Sequence, residues 1–195
     1  MVSRALVHDR SDQHHLWGVM RRISVIGASG TGKSNFTRAL GDRLDLPIVH
    51  LDREFWRPGW IEPEREAWRA RVAELAAAEA WIMDGNYSAT WDLRMPRSQV
   101  VIWLDLPRRV YFPRAVWRSL KGLGRTRPDM ADGCPEQIDL KFLLDWVWGY
   151  PARSHARTAA RLEAMRADKR IVILRSRSDV ATFLGGLPET LSRGS

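Results

Sequence analysis

The chain is poor in the features that would take it out of the ordinary globular classes. Of its 195 residues only Cys134 is a cysteine. Neither an internal disulfide nor a thiolate zinc cluster can form, so a reducing, cytoplasmic setting is expected, with Cys134 as a spare, partly buried thiol. No run of about 18 apolar residues would span a bilayer, which excludes a helical membrane protein and a membrane partner. The first nineteen residues, MVSRALVHDRSDQHHLWGV, hold neither an apolar core of the kind a secretory signal needs nor any sustained periodicity. They read as a loose extension, with Met20 a candidate for the true start, and adjacent His14 and His15 have no third ligand to make a metal site. Lysine is scarce as well: four residues (Lys33, Lys121, Lys141 and Lys169) stand among 31 basic ones. The positive charge is therefore carried by arginine, the side chain that grips phosphate with two parallel hydrogen bonds. There is no internal repeat and no low-complexity block.

What is present is a chain of one-domain length with a net charge of +8, a balance that favours anionic partners without choosing between nucleotides and nucleic acid. Most of the ten tryptophans are expected to be packing residues. After the extension the sequence alternates strand and helix. ISVIG (residues 23–27), PIVHLD (47–52), AWIMDG (80–85), QVVIWLDL (99–106) and RIVILR (170–175) read as strands. Helices are expected over 33–44, over 62–79 with Pro63 in the first turn, from Pro107 onward with a kink at Pro113, near 136–148 and 152–168, and over 179–184. Nearly continuous apolar strands between helices predict an α/β fold with a parallel sheet covered on both faces. The expected organisation is the extension over 1–19 and one domain over 20–195.

The stretch GASGTGKS, residues 27–34, matches G-x-x-x-x-G-K-[ST] and sits between a predicted strand and a predicted helix, as a phosphate cradle requires. Glycines let successive N–H groups curl inward onto phosphate oxygens. Gly27, Ala28, Ser29, Gly30, Thr31, Gly32, Lys33, Ser34 and Asn35 are then the nucleotide-binding set. Lys33 reaches the β- and γ-phosphates, the Ser34 hydroxyl ligates magnesium, and the helix start points its positive end at the anion. Two acids close apolar strands and qualify as the partner carboxylate for magnesium, Asp84 and Asp105. Asp84 is preferred because the following Gly, Asn86 and Tyr87 turn sharply into a loop; Asp105, just before Leu106 and Pro107, has the look of an acid near a helix start.

Phosphoryl transfer needs positioning and positive charge more than covalent chemistry. Arg114 and Arg118 are four apart on one predicted helix and share a face. Arg125 and Arg127 lie in KGLGRTRPDMADGCP, a Gly- and Pro-rich segment over about 121–135 with the composition of a lid. Arg153 and Arg157 repeat the four-residue spacing beyond it.

The order of GASGTGKS, LD at Asp52, DGNY at residues 84–87, IWLDLP at 102–107, and the arginines Arg114 and Arg118 resembles the adenylate-kinase-like small P-loop kinases. HLDREFWRPGW, WIMDGNY and GRTRPDMADGCPEQIDLKFLLDWVW are similar to the adenylate-kinase-related family called DNA topology modulation protein. The resemblance runs from Met20 to about Leu184. It implies a P-loop NTPase fold whose five-stranded parallel sheet has the order 2-3-1-4-5, with a lid between the fourth and fifth strands. It also implies that Arg114 lies over an adenine, that Arg118 touches the phosphates and that residues 176–178 run beside the base. Adenylate kinases carry Phe, Pro and Arg after their DG, where this chain has Asn86, Tyr87 and Ser88. The arginine that would grip a monophosphate acceptor is missing there, and Arg94 is the candidate replacement. Asp52 has two readings of equal standing: it orients or deprotonates an acceptor hydroxyl, or it is a strand-end acid bonded to the phosphate loop.

The leading expectation is a phosphotransferase that uses ATP and Mg²⁺ on a nucleoside monophosphate or another small acceptor. The alternatives are a nucleic-acid-associated ATPase, for which the chain has charge but no DNA- or RNA-binding motif, and a nucleotide-binding regulator without turnover. The sequence does not indicate an oligomeric state.

Overall fold

The computed structural model describes residues 20–187. The expectations for the first nineteen residues, the histidine pair included, and for residues 188–195 lie outside the described residues. Five strands form one parallel sheet in the order β2-β3-β1-β4-β5: β1 (Arg22–Gly27), β2 (Ile48–His50), β3 (Trp81–Asp84), β4 (Val100–Leu104) and β5 (Arg170–Leu174). This is the order that the resemblance implies. β1 lies at the centre, with Ile23 opposite Ile82 on one side and Val100 on the other.

The near-continuous apolar runs fold this way because alternate residues enter two different cores. Along β4, Val100, Ile102 and Leu104 pack with Ile23, Val25, Phe36 and Leu40. Val101 and Trp103 join Ile26, Trp91, Met95 and Leu162 on the opposite face. The first face is covered by α1 (Lys33–Leu44) and α7 (Arg177–Gly185), the second by α4 (Trp91–Arg94) and α6 (Ala156–Ala164). Helices α2 (Leu51–Phe55) and α3 (Arg65–Ala77) flank the β2 edge, and α5 (Arg108–Lys121) leads to the lid. α7 is opened by a reciprocal cap: Ser176 Oγ accepts from the Asp179 N–H, and the Asp179 carboxylate accepts from the Ser176 N–H.

Several boundaries differ from the sequence reading. β2 stops at His50, and Asp52 sits in the first turn of α2, where an acid favours the positive helix end. Pro63 precedes α3, whose first residue is Arg65. α5 runs through Pro113 to Lys121. The stretch after the lid is π-helical over Phe142–Trp148 and Pro151–His155 before it becomes α-helical. Trp68, Trp81, Trp91 and Trp103 are core residues as expected, whereas Trp117, Trp146 and Trp148 are 47–66% exposed.

Candidate functional site

The phosphate loop leaves β1 at Gly27 and enters α1 at Lys33, at the carboxyl ends of the strands where ligands bind in sheets of this class. Two glycines are dictated by the surroundings. A Cβ on Gly27 would stand 2.7 Å from the Leu104 carbonyl oxygen, and one on Gly30 would stand 2.2 Å from that of Tyr111. The loop is thereby pressed against β4 and α5. Thr31 Oγ1 donates to the Ala28 carbonyl at 2.8 Å, and the Gly27 N–H donates to Asn86 Oδ1 at 2.9 Å. Lys33 curls back so that its ammonium donates to the Ala28 carbonyl at 3.1 Å. Burial pushes that ammonium below its ordinary pKa; Asp84 and Asp52 pull it up, while Arg118 and Arg127 act in the same direction as burial.

Those four partners define the site. Asp84 ends β3 and is 5% exposed. Its Oδ2 lies 3.2 Å from His50 Nδ1, and its Oδ1 is buried with no hydrogen-bond partner among the described residues. Such an orphaned carboxylate oxygen beside the phosphate lysine fits a hard cation. Among the described residues no three His, Cys, Asp or Glu side chains form a protein-only metal cage, so a magnesium here would be shared with phosphate oxygens and water. Asp105 is not brought to this place. It faces His155 Nε2 at 2.9 Å and Arg175 Nε at 3.8 Å. It borders a cavity of about 440 Å³ lined also by Arg108, Tyr111 and Tyr150.

Asp52 is reached through Tyr87. Gly85 (φ 147°) and Tyr87 (φ 27°) turn the chain sharply after β3, and the Tyr87 hydroxyl donates to Asp52 Oδ1 at 2.7 Å. Burial raises the Asp52 carboxyl above its ordinary pKa, against the lowering effect of Tyr87 and of Lys33. Asp52 therefore bonds Tyr87 and not the phosphate loop, whose Gly27 is held by Asn86 instead. Arg94 is fully buried and donates to the Gly85 and Asn86 carbonyls. Desolvation lowers its pKa to about 9. It props the turn through Nη2, while its Nε and Nη1 are buried with no hydrogen-bond partner among the described residues.

Two of the expected arginines come to the neighbourhood of the loop, Arg118 from α5 and Arg127 from the lid. Arg118 donates to Ser29 Oγ at 3.1 Å and pairs with Glu136 at 3.5 Å. Arg127 pairs with both Asp129 and Glu136. Arg114 and Arg125 are exposed and make no contact with the loop among the described residues. Arg153 and Arg157 are exposed too, and Arg153 lies over the Trp146 ring at 4.5 Å.

Sequence reasoning missed four members of the site: Asp129, Glu136, His50 and the bonding role of Tyr87. The Ser34 hydroxyl donates to Asp129 Oδ2 at 2.7 Å. Burial raises the Asp129 carboxyl, but Arg127 and Ser34 outweigh it and hold the group below the usual carboxylate range. The only signal was the two-residue spacing from Arg127 in RTRPDM.

The far side of the lid is fastened to the hairpin at residues 56–61. The Gly59 N–H donates to the Gly133 carbonyl at 2.8 Å, Trp60 Nε1 to the Pro135 carbonyl at 3.0 Å, and the Cys134 thiol to the Arg57 carbonyl at 3.1 Å. Met130, Ala131 and Cys134 pack on Trp56 and Trp60. Cys134 is thus fully buried and engaged, not a spare thiol. Beneath this clasp Phe55, Trp68 and Tyr87 form an aromatic wall with ring centroids 4.9–5.1 Å apart.

No protein-family model matches the chain. Over 164 residues, 82% of this chain and 89% of the other, it is 26% identical to an uncharacterised protein, YqaC, of Bacillus subtilis (strain 168). Among solved structures it is similar to a shikimate kinase from Acinetobacter baumannii in complex with shikimate, with a TM-score of 0.54 and 16% identity over 88% of this chain and 93% of that one. A shikimate kinase from Bacteroides thetaiotaomicron gives 0.51 and 19% over 86% and 95%. A gluconokinase from Sinorhizobium meliloti 1021 gives 0.50 and 20% over 85% and 88%. With the sheet order, these likenesses establish the fold of the small P-loop kinases.

Proposed function

We propose that the chain is a phosphotransferase that moves the γ-phosphate of ATP, in the presence of magnesium, to a hydroxyl of a small acceptor seated against Asp52. The observation that carries this reading is the placement of Asp52: a half-buried carboxylate with a raised pKa, oriented by the Tyr87 hydroxyl, whose charge acts on the ammonium of Lys33. A carboxylate whose affinity for a proton is raised by burial, set beside the phosphate lysine, is what a hydroxyl acceptor needs. Asp52 takes the proton of the attacking hydroxyl. Lys33, Arg118 and Arg127 stabilise charge on the migrating phosphoryl group. Ser34 and Asp84 would hold the magnesium, which when bound neutralises the β- and γ-phosphate oxygens.

The full burial of Arg94, whose Nη2 donates to the Gly85 and Asn86 carbonyls, turns the choice of acceptor toward small hydroxylated metabolites and away from nucleoside monophosphates. The likeness to a shikimate kinase and a gluconokinase, both named for small hydroxylated acids, supports this choice. The test is a screen of hydroxylated acids, sugars and nucleoside monophosphates with MgATP, followed by ³¹P NMR for a phosphate ester. The expected result is ester formation with a hydroxylated acceptor, lowered about 10²- to 10⁴-fold in Asp52→Asn with ATP affinity kept. Turnover confined to nucleoside monophosphates overturns the acceptor class, and absence of any heat with MgATP in calorimetry overturns the kinase reading.

A second reading, the nucleic-acid-associated ATPase suggested by the resemblance to the DNA topology modulation family, is favoured by one surface feature. Arg108 and Arg153 stack on the rings of the exposed Trp148 and Trp146, an arrangement able to take unstacked bases. Steeply salt-dependent DNA binding that stimulates ATP hydrolysis would favour it.

A further inference from the structure

We propose that Asp129, a lid residue, belongs to the divalent-cation site, so that closing the lid delivers a carboxylate to the cation as well as Arg127 to the phosphates. The inference rests on the kinase reading given above. Three observations meet in it. The Ser34 hydroxyl, the group that the P-loop motif offers to magnesium, has Asp129 Oδ2 at 2.7 Å. Asp84, whose charge acts on the neighbouring Lys33, presents a buried oxygen with no hydrogen-bond partner among the described residues. His50 links the two acids, bonding Asp84 at 3.2 Å and acting electrostatically on Asp129.

Asp129 is not a surface acid that happens to fall inward. It is 6% exposed and is held by Arg127 at 2.9 Å. The segment that follows it is bolted to the hairpin by Gly59, Trp60 and Cys134. Its position is therefore set from both ends of the lid. A fixed carboxylate at this spot would repel a triphosphate if it faced the phosphates alone; it is compatible with one when a cation lies between them. A hydroxyl and two carboxylates are oxygen donors of the type that hard divalent cations take. The opposing possibility is that Asp129 imitates a phosphate and must be expelled before ATP enters.

Affinity of Mn²⁺ for the complex of the full chain with a non-hydrolysable ATP analogue, read by electron paramagnetic resonance, separates the two. Asp129→Asn keeps the size of the side chain and the acceptor for Ser34 but removes the charge. It is expected to weaken Mn²⁺ at least about tenfold, the range seen when groups around a bound metal are altered, while the metal-free analogue binds as tightly as before or more tightly. Asp129→Ser should show the same loss, which guards against one variant misfolding. Mn²⁺ affinity within threefold of the wild type in both variants overturns the proposal. So does a gain in analogue affinity that is equal with and without Mn²⁺, the mark of a phosphate competitor. Wild-type protein that takes up no analogue at all removes the kinase reading itself, whereas uptake with unchanged Mn²⁺ affinity in the variants removes only this inference.

Discussion

The phosphate loop and the clasp between lid and hairpin are two halves of one site built by opposite means. The loop is set by backbone: eight consecutive residues fix its path, and its neighbours press on it through carbonyl oxygens of Leu104 and Tyr111. The clasp is set by side chains from segments about 75 residues apart in sequence, such as Trp60 and Pro135. A backbone-built site tolerates almost no change of residue at its contact points, because carbonyls cannot step aside. A clasp built from rings, one thiol and a few hydrogen bonds can open and close, which is what a lid must do.

The largest effect expected from this contrast is at Gly30. Its φ of 85° is adverse for any other residue, and a new Cβ would fall 2.2 Å from the Tyr111 carbonyl oxygen. Gly30→Ala should cost about 3 kcal/mol or more, combining backbone strain with overpacking. Gly32, with φ 91° and nothing within 4 Å of a new Cβ, should lose only about 1–2 kcal/mol on the same change. Urea melts of the two variants measure the difference. Equal losses would show that α5 yields to the loop and that the loop is less rigid than its carbonyl contacts indicate.

Next in size is the clasp. Trp60→Ala removes the indole bond to the Pro135 carbonyl and the packing with Trp56 at 5.3 Å between centroids. The residue is partly exposed and belongs to a small satellite cluster, so global stability should fall by only about 1 kcal/mol while the lid loosens. On the kinase reading, KM for both substrates should rise about tenfold with a smaller change in kcat. A fall in kcat alone would place the clasp in the chemical step and undo its description as a fastening.

The same division explains what could be read from sequence. The strands, the loop and its helix were legible because each depends on local pattern: β-branched runs, glycines at fixed spacing, apolar residues at helical intervals; the strand order came only from the family resemblance. Arg118 and Arg127 were legible as charges that a phosphate site needs. Asp129 was not, because an acid within an arginine-rich lid reads as a solvated charge until its partner, Ser34, is brought to it by closure. Asp52 reads as the end of a strand because PIVHLD is apolar before its last residue except at His50, whereas β2 stops at His50 and a helical turn begins. The surroundings of Arg94 were not legible either. An arginine after a DG turn looks like an acceptor ligand, and only the fold shows that it is fully buried with its Nη2 on the Gly85 and Asn86 carbonyls. The partner of Asp105 was hidden for the same reason, since His155 lies 50 residues away in sequence.

The smallest effect, and the one that probes where the two halves meet, concerns Tyr87. Its hydroxyl lowers the Asp52 carboxyl, though not enough to offset burial, and the net shift is upward. A carboxyl whose pKa is raised on folding lends its full stability below the unfolded value near 3.8 and loses it as pH climbs through the folded value. Ionised Asp52 is therefore a burden on the fold at neutral pH. Tyr87→Phe removes the bond that eases that burden, so the Asp52 pKa should rise further. The acid limb of the kcat/KM profile should move upward by about half a unit to one unit, in line with the loss of a hydrogen bond worth about 1 kcal/mol. Melting of the variant should fall behind the wild type more at pH 8 than at pH 4, and Asp52→Asn should melt higher than the wild type at pH 8. An acid limb that stays in place in Tyr87→Phe would mean that a different group accepts the proton, and the acceptor side of the site would then have to be rebuilt around that group while the loop kept its role.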